Sequence, residues 1–106
     1  MVIYKITNLT NGKIYIGQTT KTVEERFKRH CYAKSCIGNA IREYGTDNFT
    51  VEVIEECQTL DELDDREEYW IARLNCRVPN GYNVTAGGKQ DFDFIKGLGT
   101  GWVGLY

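Results

Sequence analysis

The sequence predicts one α+β domain in which helices flank a three-stranded β-sheet. Its 106 residues match the usual size of a single domain, and a 42% share of hydrophobic residues is enough to form a core. Runs rich in β-branched and aromatic residues are interspersed with segments of helical periodicity, in the order β-β-α-α-β-α. A layer of helices on a small sheet is the simplest packing of these elements.

A β-hairpin is expected at the N-terminus. Residues 2–7 and 13–17 are strand-like runs on either side of a turn rich in Asn and Gly. A four-residue loop over 8–11 would place Tyr4 directly across from Tyr15, with both rings on one face of the sheet. Paired tyrosines are also common as simple packing, so the hairpin alone leaves their role open.

Two helices are predicted next. Thr22 and Glu25 form a capping box at the start of a helix that we expect to reach about Ala33. A shorter helix over 37–44 is expected to stop at Gly45, since glycine suits the position just past a helix end.

A third strand and the longest helix follow. Residues 49–54 form the strand, and Thr59 with Glu62 makes a second capping box before a helix over about 60–75. A turn then leads into a short extended piece over 82–84. The apolar stripe predicted for the long helix comprises Leu60, Leu63, Trp70, Ile71 and Leu74.

Glu67 is the most informative residue of the long helix. It lies four residues after Leu63 and therefore interrupts the apolar stripe. A carboxylate on the packed side of a helix is costly unless it is paired or binds a metal ion. Two explanations stay open at this point, a salt bridge to Arg26 or Arg66 and a metal site.

The first helix carries a basic face. Arg26 and His30 are four residues apart and share one side of that helix, with Arg29 at its edge. Guanidinium groups match phosphate oxygens two at a time, so this face fits a phosphate. A solvated basic face with a partly buried histidine is the alternative. An arginine, a phenol and a cation held by a carboxylate would together supply what phosphodiester hydrolysis requires.

Charge and cysteine content narrow the choice of function only slightly. Residues 1–44 carry eight Lys or Arg against three Glu, which gives +5, and residues 45–106 carry five against twelve acidic residues, which gives −7. The basic half suits a polyanionic partner, although two ordinary solvated faces would give the same counts. No Cys-x-x-Cys pair or common zinc spacing is present, so free thiols are expected at Cys31, Cys36, Cys57 and Cys76.

Five short motifs follow one another along the chain. They are Val2-Ile3-Tyr4, Tyr15-Ile16-Gly17, Glu25-Arg26-Phe27-Lys28-Arg29-His30, Arg66-Glu67-Glu68-Tyr69-Trp70-Ile71 and Asn80-Gly81-Tyr82-Asn83. In this order they resemble the GIY-YIG nuclease family, whose first motif usually has Gly where this chain has Val, at the least chemically demanding position. The similarity covers about residues 1–88 and is strongest to the catalytic domains of phage and intron homing endonucleases. It implies a small three-stranded antiparallel sheet flanked by helices.

The resemblance implies a homing-type endonuclease that hydrolyses DNA phosphodiester bonds with a divalent metal ion. By this similarity Tyr4 would activate the attacking water, with Tyr15 beside it. Arg26 would contact the scissile phosphate, and Glu67 would hold Mg²⁺ or Mn²⁺.

Three further positions take expected roles from the same resemblance. His30 and Asn83 match polar active-site positions and are expected to be positioning residues. Gly17 is expected to allow close packing that a side chain would block.

Homing enzymes of this type usually carry a separate DNA-binding region after a linker. We therefore expect a nuclease domain over 1–88, followed by a Gly-rich tail or linker start over 89–106. Target specificity would come from a separate region or a partner protein. A repair-type or structure-specific nuclease is one alternative, and a non-catalytic DNA- or partner-binding module that keeps the fold is the other.

No apolar run approaches the roughly 18 residues that a membrane helix needs, and the N-terminus lacks the features of a signal peptide. A cytoplasmic location is therefore expected, and the family resemblance implies a phage- or bacterial-type host cell.

Overall fold

A three-stranded antiparallel sheet with strand order β2-β1-β3 lies at the centre of the computed structural model, which describes residues 1–87. This architecture confirms the predicted fold class. The strands are β1 (Val2–Asn8), β2 (Ile14–Thr19) and β3 (Phe49–Glu56). The helices are α1 (Val23–Tyr32), α2 (Cys36–Tyr44) and α3 (Leu60–Leu74), with a short 3₁₀ turn at Thr46–Asn48 before β3.

The register of the hairpin differs from the prediction. Tyr4 pairs with Gly17 and not with Tyr15, because the four-residue loop starts one residue later than expected. The Asn8 N–H donates to the Lys13 carbonyl at 2.9 Å and extends the ladder by one pair. Moving the loop by one residue changes the register by two, which leaves each side chain on its predicted face. Tyr4 and Tyr15 therefore still share a face, with ring centroids 6.4 Å apart.

Helices pack on both faces of the sheet. Helices α1 and α2 cover one face and α3 covers the other, because alternate residues of β1 point to opposite sides. The first cluster contains the buried residues Tyr4, Ile6, Ile37, Ala40, Ile41 and Phe49. The second contains Ile3, Ile16, Cys57, Leu63, Ile71 and Cys76.

The helix ends follow the capping signals of the sequence. Thr22 accepts a hydrogen bond from the Glu25 N–H at 3.2 Å, and Thr59 accepts one from the Glu62 N–H at 3.1 Å. Gly45 ends α2 with a φ of 90°, a conformation that favours glycine.

The predicted apolar stripe of α3 is wrong at one residue. Leu60 is 59% exposed, because as the first residue of the helix it precedes the turn that packs on the sheet. Leu63 and Ile71 are buried as expected, while Trp70 and Leu74 are partly buried against the same cluster.

Other predictions concern the cysteines, the membrane and the tail. All four cysteines lie in the described part of the chain and are free thiols. Within residues 1–87 no helix has the length and apolar character to span a bilayer. The predicted Gly-rich tail over 89–106 lies outside the described residues.

Candidate active site

Gly17 allows the ring of Tyr4 to lie across β2. Tyr4 is only 1% exposed, and a Cβ atom built on Gly17 would meet Tyr4 Cζ and the Tyr4 hydroxyl oxygen well inside van der Waals contact. Any larger residue at position 17 would therefore displace the ring. The predicted packing role of this glycine is confirmed by the geometry.

His30 is the hydrogen-bond partner of Tyr4. Its Nε2 atom lies 2.7 Å from the Tyr4 hydroxyl oxygen, and the imidazole is buried under α1. Burial, together with the nearby charges of Arg26 and Arg29, lowers the pKa of His30 to about 4. The imidazole is therefore neutral at pH 7. Tyr15 packs against it edge-on, with ring centroids 5.0 Å apart.

Both tyrosines are neutral phenols at physiological pH. Burial raises the pKa of Tyr4 to about 12, although the charge of Arg26 opposes this rise. Burial also raises the pKa of Tyr15, and the Tyr4 and Glu67 groups add to the effect. A phenol in this site can act as a base only if added positive charge lowers its pKa.

Arg26 offers an unused donor to the site. Its Nε atom is buried and has no hydrogen-bond partner among residues 1–87. A buried polar group without a partner costs free energy, which an anionic ligand would recover by accepting the hydrogen bond. The guanidinium group therefore fits a phosphate.

Glu67 approaches from the opposite face of the sheet. Its carboxylate is half-buried beside β2, where the Gln18 Nε2 atom donates to Glu67 Oε1 at 2.9 Å. The same nitrogen donates to Asp64 Oδ1 at 3.0 Å. Arg66, one candidate for an ion pair with Glu67, instead pairs with Glu55 at 2.8 Å. The metal-ligand role of Glu67 stays a prediction.

Sequence reasoning missed Gln18 and Asp64. Gln18 is two residues after the buried Ile16 and so faces α3, and Asp64 is three residues before Glu67 on the same side of α3. Periodicity gives both orientations, but only the tertiary packing of α3 on β2 brings the two side chains together.

Asn83 secures the chain segment that borders the site. Its side-chain amide accepts from the Ile16 N–H and donates to the Ile16 carbonyl, both at 2.8 Å, as a neighbouring strand would. It also accepts a contact from the Cys76 thiol at 3.1 Å. Asn83 is therefore bound to backbone, and its side chain shapes the site by fixing residues 82–87 along β2.

The predicted site residues converge on one cavity at the outer edge of β2. The cavity has a volume of about 660 Å³. Tyr4 does not line it and is connected to it through the hydrogen bond to His30. The predicted residues that line it are Tyr15, Arg26, His30, Glu67 and Asn83.

Fold and cavity together define a small α+β domain with a candidate active site. The model of the GIY-YIG catalytic domain matches residues 1–83. The chain belongs to the GIY-YIG family, as its motifs predict.

Two curated relatives come from Enterobacteria phage T4. Intron-associated endonuclease 1 is 33% identical over 77% of this chain and 36% of its own length. The putative endonuclease segE is 33% identical over 81% of this chain and 41% of its own length. The chain thus spans well under half the length of these relatives.

Two solved structures support the same family assignment. The catalytic domain of homing endonuclease I-TevI superimposes with a TM-score of 0.67 at 32% identity, covering 79% of this chain and 97% of that domain. A mutant of the same catalytic domain gives a TM-score of 0.69 at 31% identity, covering 80% of this chain and 93% of that one. The agreement in fold and sequence confirms the predicted resemblance to homing endonuclease catalytic domains.

Replacing Gly17 tests the close approach of the Tyr4 ring. Gly17→Ala is expected to lower the free energy of unfolding by about 1–3 kcal/mol through overpacking. In a Tyr4→Leu background the same change should cost almost nothing, because alanine suits a strand better than glycine once the ring is gone. Urea unfolding of the four proteins measures both costs, and additive values would contradict the contact.

The pH dependence of stability tests the buried histidine. The folded-state pKa of His30, about 4, is below its ordinary value of 6.5, so the unfolded chain binds the extra proton first. Stability should therefore fall as the pH drops from 6.5 to 4, by up to about 3 kcal/mol from this group. His30→Gln should remove this part of the slope in urea titrations at several pH values. An unchanged slope in the variant would show that His30 does not titrate as described.

Proposed function

We propose that the chain is the catalytic domain of a divalent-metal-dependent DNA endonuclease of the homing type. The observation that supports it best is the meeting of Arg26 and Glu67 at one cavity, although they come from helices on opposite faces of the sheet. A phosphate donor and a metal ligand beside the same space are what phosphodiester hydrolysis needs.

The donor set fits a magnesium-like ion held by few protein ligands. Nucleases of this family generally use a divalent metal. Within residues 1–87 no group of three or more His, Cys, Asp or Glu side chains could hold a metal ion. Glu67 would be the protein ligand, and Mg²⁺ characteristically keeps several waters and is completed by substrate phosphate. When bound, Mg²⁺ or Mn²⁺ would neutralise phosphate charge and stabilise the leaving oxygen.

The roles of the chain's own residues follow from their contacts. Arg26 would donate to the scissile phosphate, for which its buried Nε atom is available. Tyr15 lines the cavity and would orient the attacking water. Tyr4 would activate that water once positive charge in the site lowers its pKa, with His30 positioning its hydroxyl.

A second cavity extends the site towards solvent. It has a volume of about 320 Å³ and shares Arg26 and Arg29 with the first cavity. Lys21 adds a further positive charge to its wall, and Glu25 adds one negative charge. We propose that the DNA backbone passes from the catalytic cavity along these basic residues.

The full protein would need more than this domain to choose a target. The overall charge of −2 gives weak attraction for DNA, and the curated relatives are more than twice as long as the part they share with this chain. We propose a nuclease domain over 1–88 that acts with a separate DNA-binding region or partner protein. Because the proposed substrate is DNA, the site of action would be the cytoplasm of a phage-infected or bacterial cell.

The two alternatives are less well supported. A repair-type nuclease would use the same cavity, and substrate preference alone would distinguish it. A non-catalytic module would not need to keep Tyr4, Arg26 and Glu67 around one site, as this chain does.

The metal role of Glu67 can be tested with its neighbour as the control. Glu67→Gln is expected to reduce Mg²⁺- or Mn²⁺-dependent plasmid nicking at least about 100-fold, because a catalytic metal is worth several kcal/mol. Glu68→Gln, at an exposed position one residue further on, should leave nicking unchanged. Reactions with EDTA set the background, and duplex, branched and single-stranded DNA identify the preferred substrate. Equal activity in the two variants would reject Glu67 as the ligand.

The proposed DNA path predicts a change in salt dependence. Lys21→Ala should weaken DNA binding to a similar extent for every sequence and reduce the slope of log K against log salt by about one. Lys13 lines neither cavity, so Lys13→Ala is the matched control and should leave the slope unchanged. Fluorescence anisotropy of a labelled duplex at several salt concentrations measures both. Identical slopes for the two variants would remove the second cavity from the path.

A further inference from the structure

We propose that Gln18 and Gly87 are positioning residues that restrict the Glu67 carboxylate and thereby set the affinity of the site for a divalent cation. The inference rests on the proposed function, since it assumes that Glu67 is the metal ligand. It adds two residues that lie outside the motifs of the family resemblance.

Gln18 fixes one oxygen of the carboxylate. Its Nε2 atom donates to Glu67 Oε1 at 2.9 Å and to Asp64 Oδ1 at 3.0 Å, so both hydrogens of one amide nitrogen are used on two carboxylates of α3. The two acceptors define which way the amide points. Because both are charged, these bonds are stronger than bonds to neutral acceptors.

A neutral amide is well suited to this place. Asp64 and Glu67 are three residues apart on one side of α3, and two carboxylates at that spacing repel each other. A lysine between them would relieve the repulsion but would also cancel the negative charge that attracts a cation. Gln18 holds both groups by hydrogen bonds and leaves their full charge in the site.

Gly87 lies close to Glu67 as well. A Cβ atom at this position would lie 3.1 Å from Glu67 Oε1, 3.3 Å from Glu67 Cγ and 2.8 Å from Ile71 Cδ1. Gly87 is buried and has a φ of +82°, so its backbone packs where no side chain fits. Residues 82–87 reach this place because Asn83 ties the segment to Ile16 of β2.

Restricting a metal ligand before the ion arrives raises affinity, because less conformational freedom is lost on binding. Groups that orient a ligand typically change metal affinity by about 10–100-fold when they are removed. Gln18 donates to Oε1 of Glu67, and a Cβ atom added at position 87 would press on the same oxygen, so Gln18→Ala and Gly87→Ala should both weaken the site.

The chain offers a close control for each substitution. Gly12 has a φ of +78°, nearly that of Gly87, but a Cβ atom there would meet nothing within 4 Å. Gly12→Ala and Gly87→Ala therefore impose a similar backbone strain, and only the second pushes on Glu67. For Gln18→Ala the control is Gln58→Ala, an exposed glutamine in the turn before α3.

The test measures Mn²⁺ binding to the chain without DNA. The electron paramagnetic resonance signal of the free ion reports how much Mn²⁺ remains unbound. We expect Gln18→Ala and Gly87→Ala to weaken Mn²⁺ binding about tenfold. Glu67→Gln should abolish binding. The affinities of both control variants should stay within about twofold of the wild type. Nicking by Gln18→Ala should recover at saturating Mn²⁺, whereas nicking by Glu67→Gln should not. Thermal unfolding of each variant confirms that the fold is retained.

The possible failures are distinct. If Glu67→Gln abolishes Mn²⁺ binding but Gln18→Ala and Gly87→Ala bind like their controls, the positioning role is wrong and the proposed function stands. If Glu67→Gln binds Mn²⁺ as the wild type does, the metal assignment itself is wrong and the positioning role fails with it. If the wild type binds no Mn²⁺ without DNA, Gln18 and Gly87 do not form a cation site before substrate binds, and the positioning role is wrong.

Discussion

The outer edge of β2 is the constraint on which the site depends. An edge strand presents N–H and C=O groups that need partners, and here the side chain of Asn83 satisfies both groups of Ile16. This pairing brings the segment after α3 alongside β2. Residues of α1, from one face of the sheet, and of α3, from the other, line one cavity with this segment.

The electrostatic balance of the cavity follows from burial. Tyr4, Tyr15 and His30 are all held in their neutral forms, because charging any of them would require solvation that the packed sheet does not provide. The charges that remain in the cavity wall belong to Arg26, Arg29 and Glu67. Adding a cation beside Glu67 would favour loss of a proton from a phenol, so binding of the metal and activation of the water would be coupled by simple Coulombic attraction.

The elements of the fold could be predicted because their signals are local. The helix ends are marked by the caps at Thr22 and Thr59 and by the glycine after α2. The interruption of the apolar stripe of α3 indicates Glu67 as a candidate site residue. The hairpin register could not be predicted to the residue, since the loop can move by one position without changing which side chains are buried. The role of Gln18 could not be predicted for a different reason. Its two hydrogen-bond partners are on α3, and the sequence alone does not show how α3 packs on β2.

Different residues determine the shape and the charge of this site. Substitutions in these two groups of residues are expected to have different effects. Gly17 and Asn83 form contacts that other side chains cannot reproduce, because one needs the absence of a Cβ atom and the other a paired donor and acceptor. Glycine and asparagine at these two positions preserve the fold whether or not the domain cleaves DNA. Arg26 and Glu67 instead bring opposite charges to one cavity, so a change at either is expected to remove the proposed chemistry and keep the architecture. The fold can therefore persist without the proposed activity.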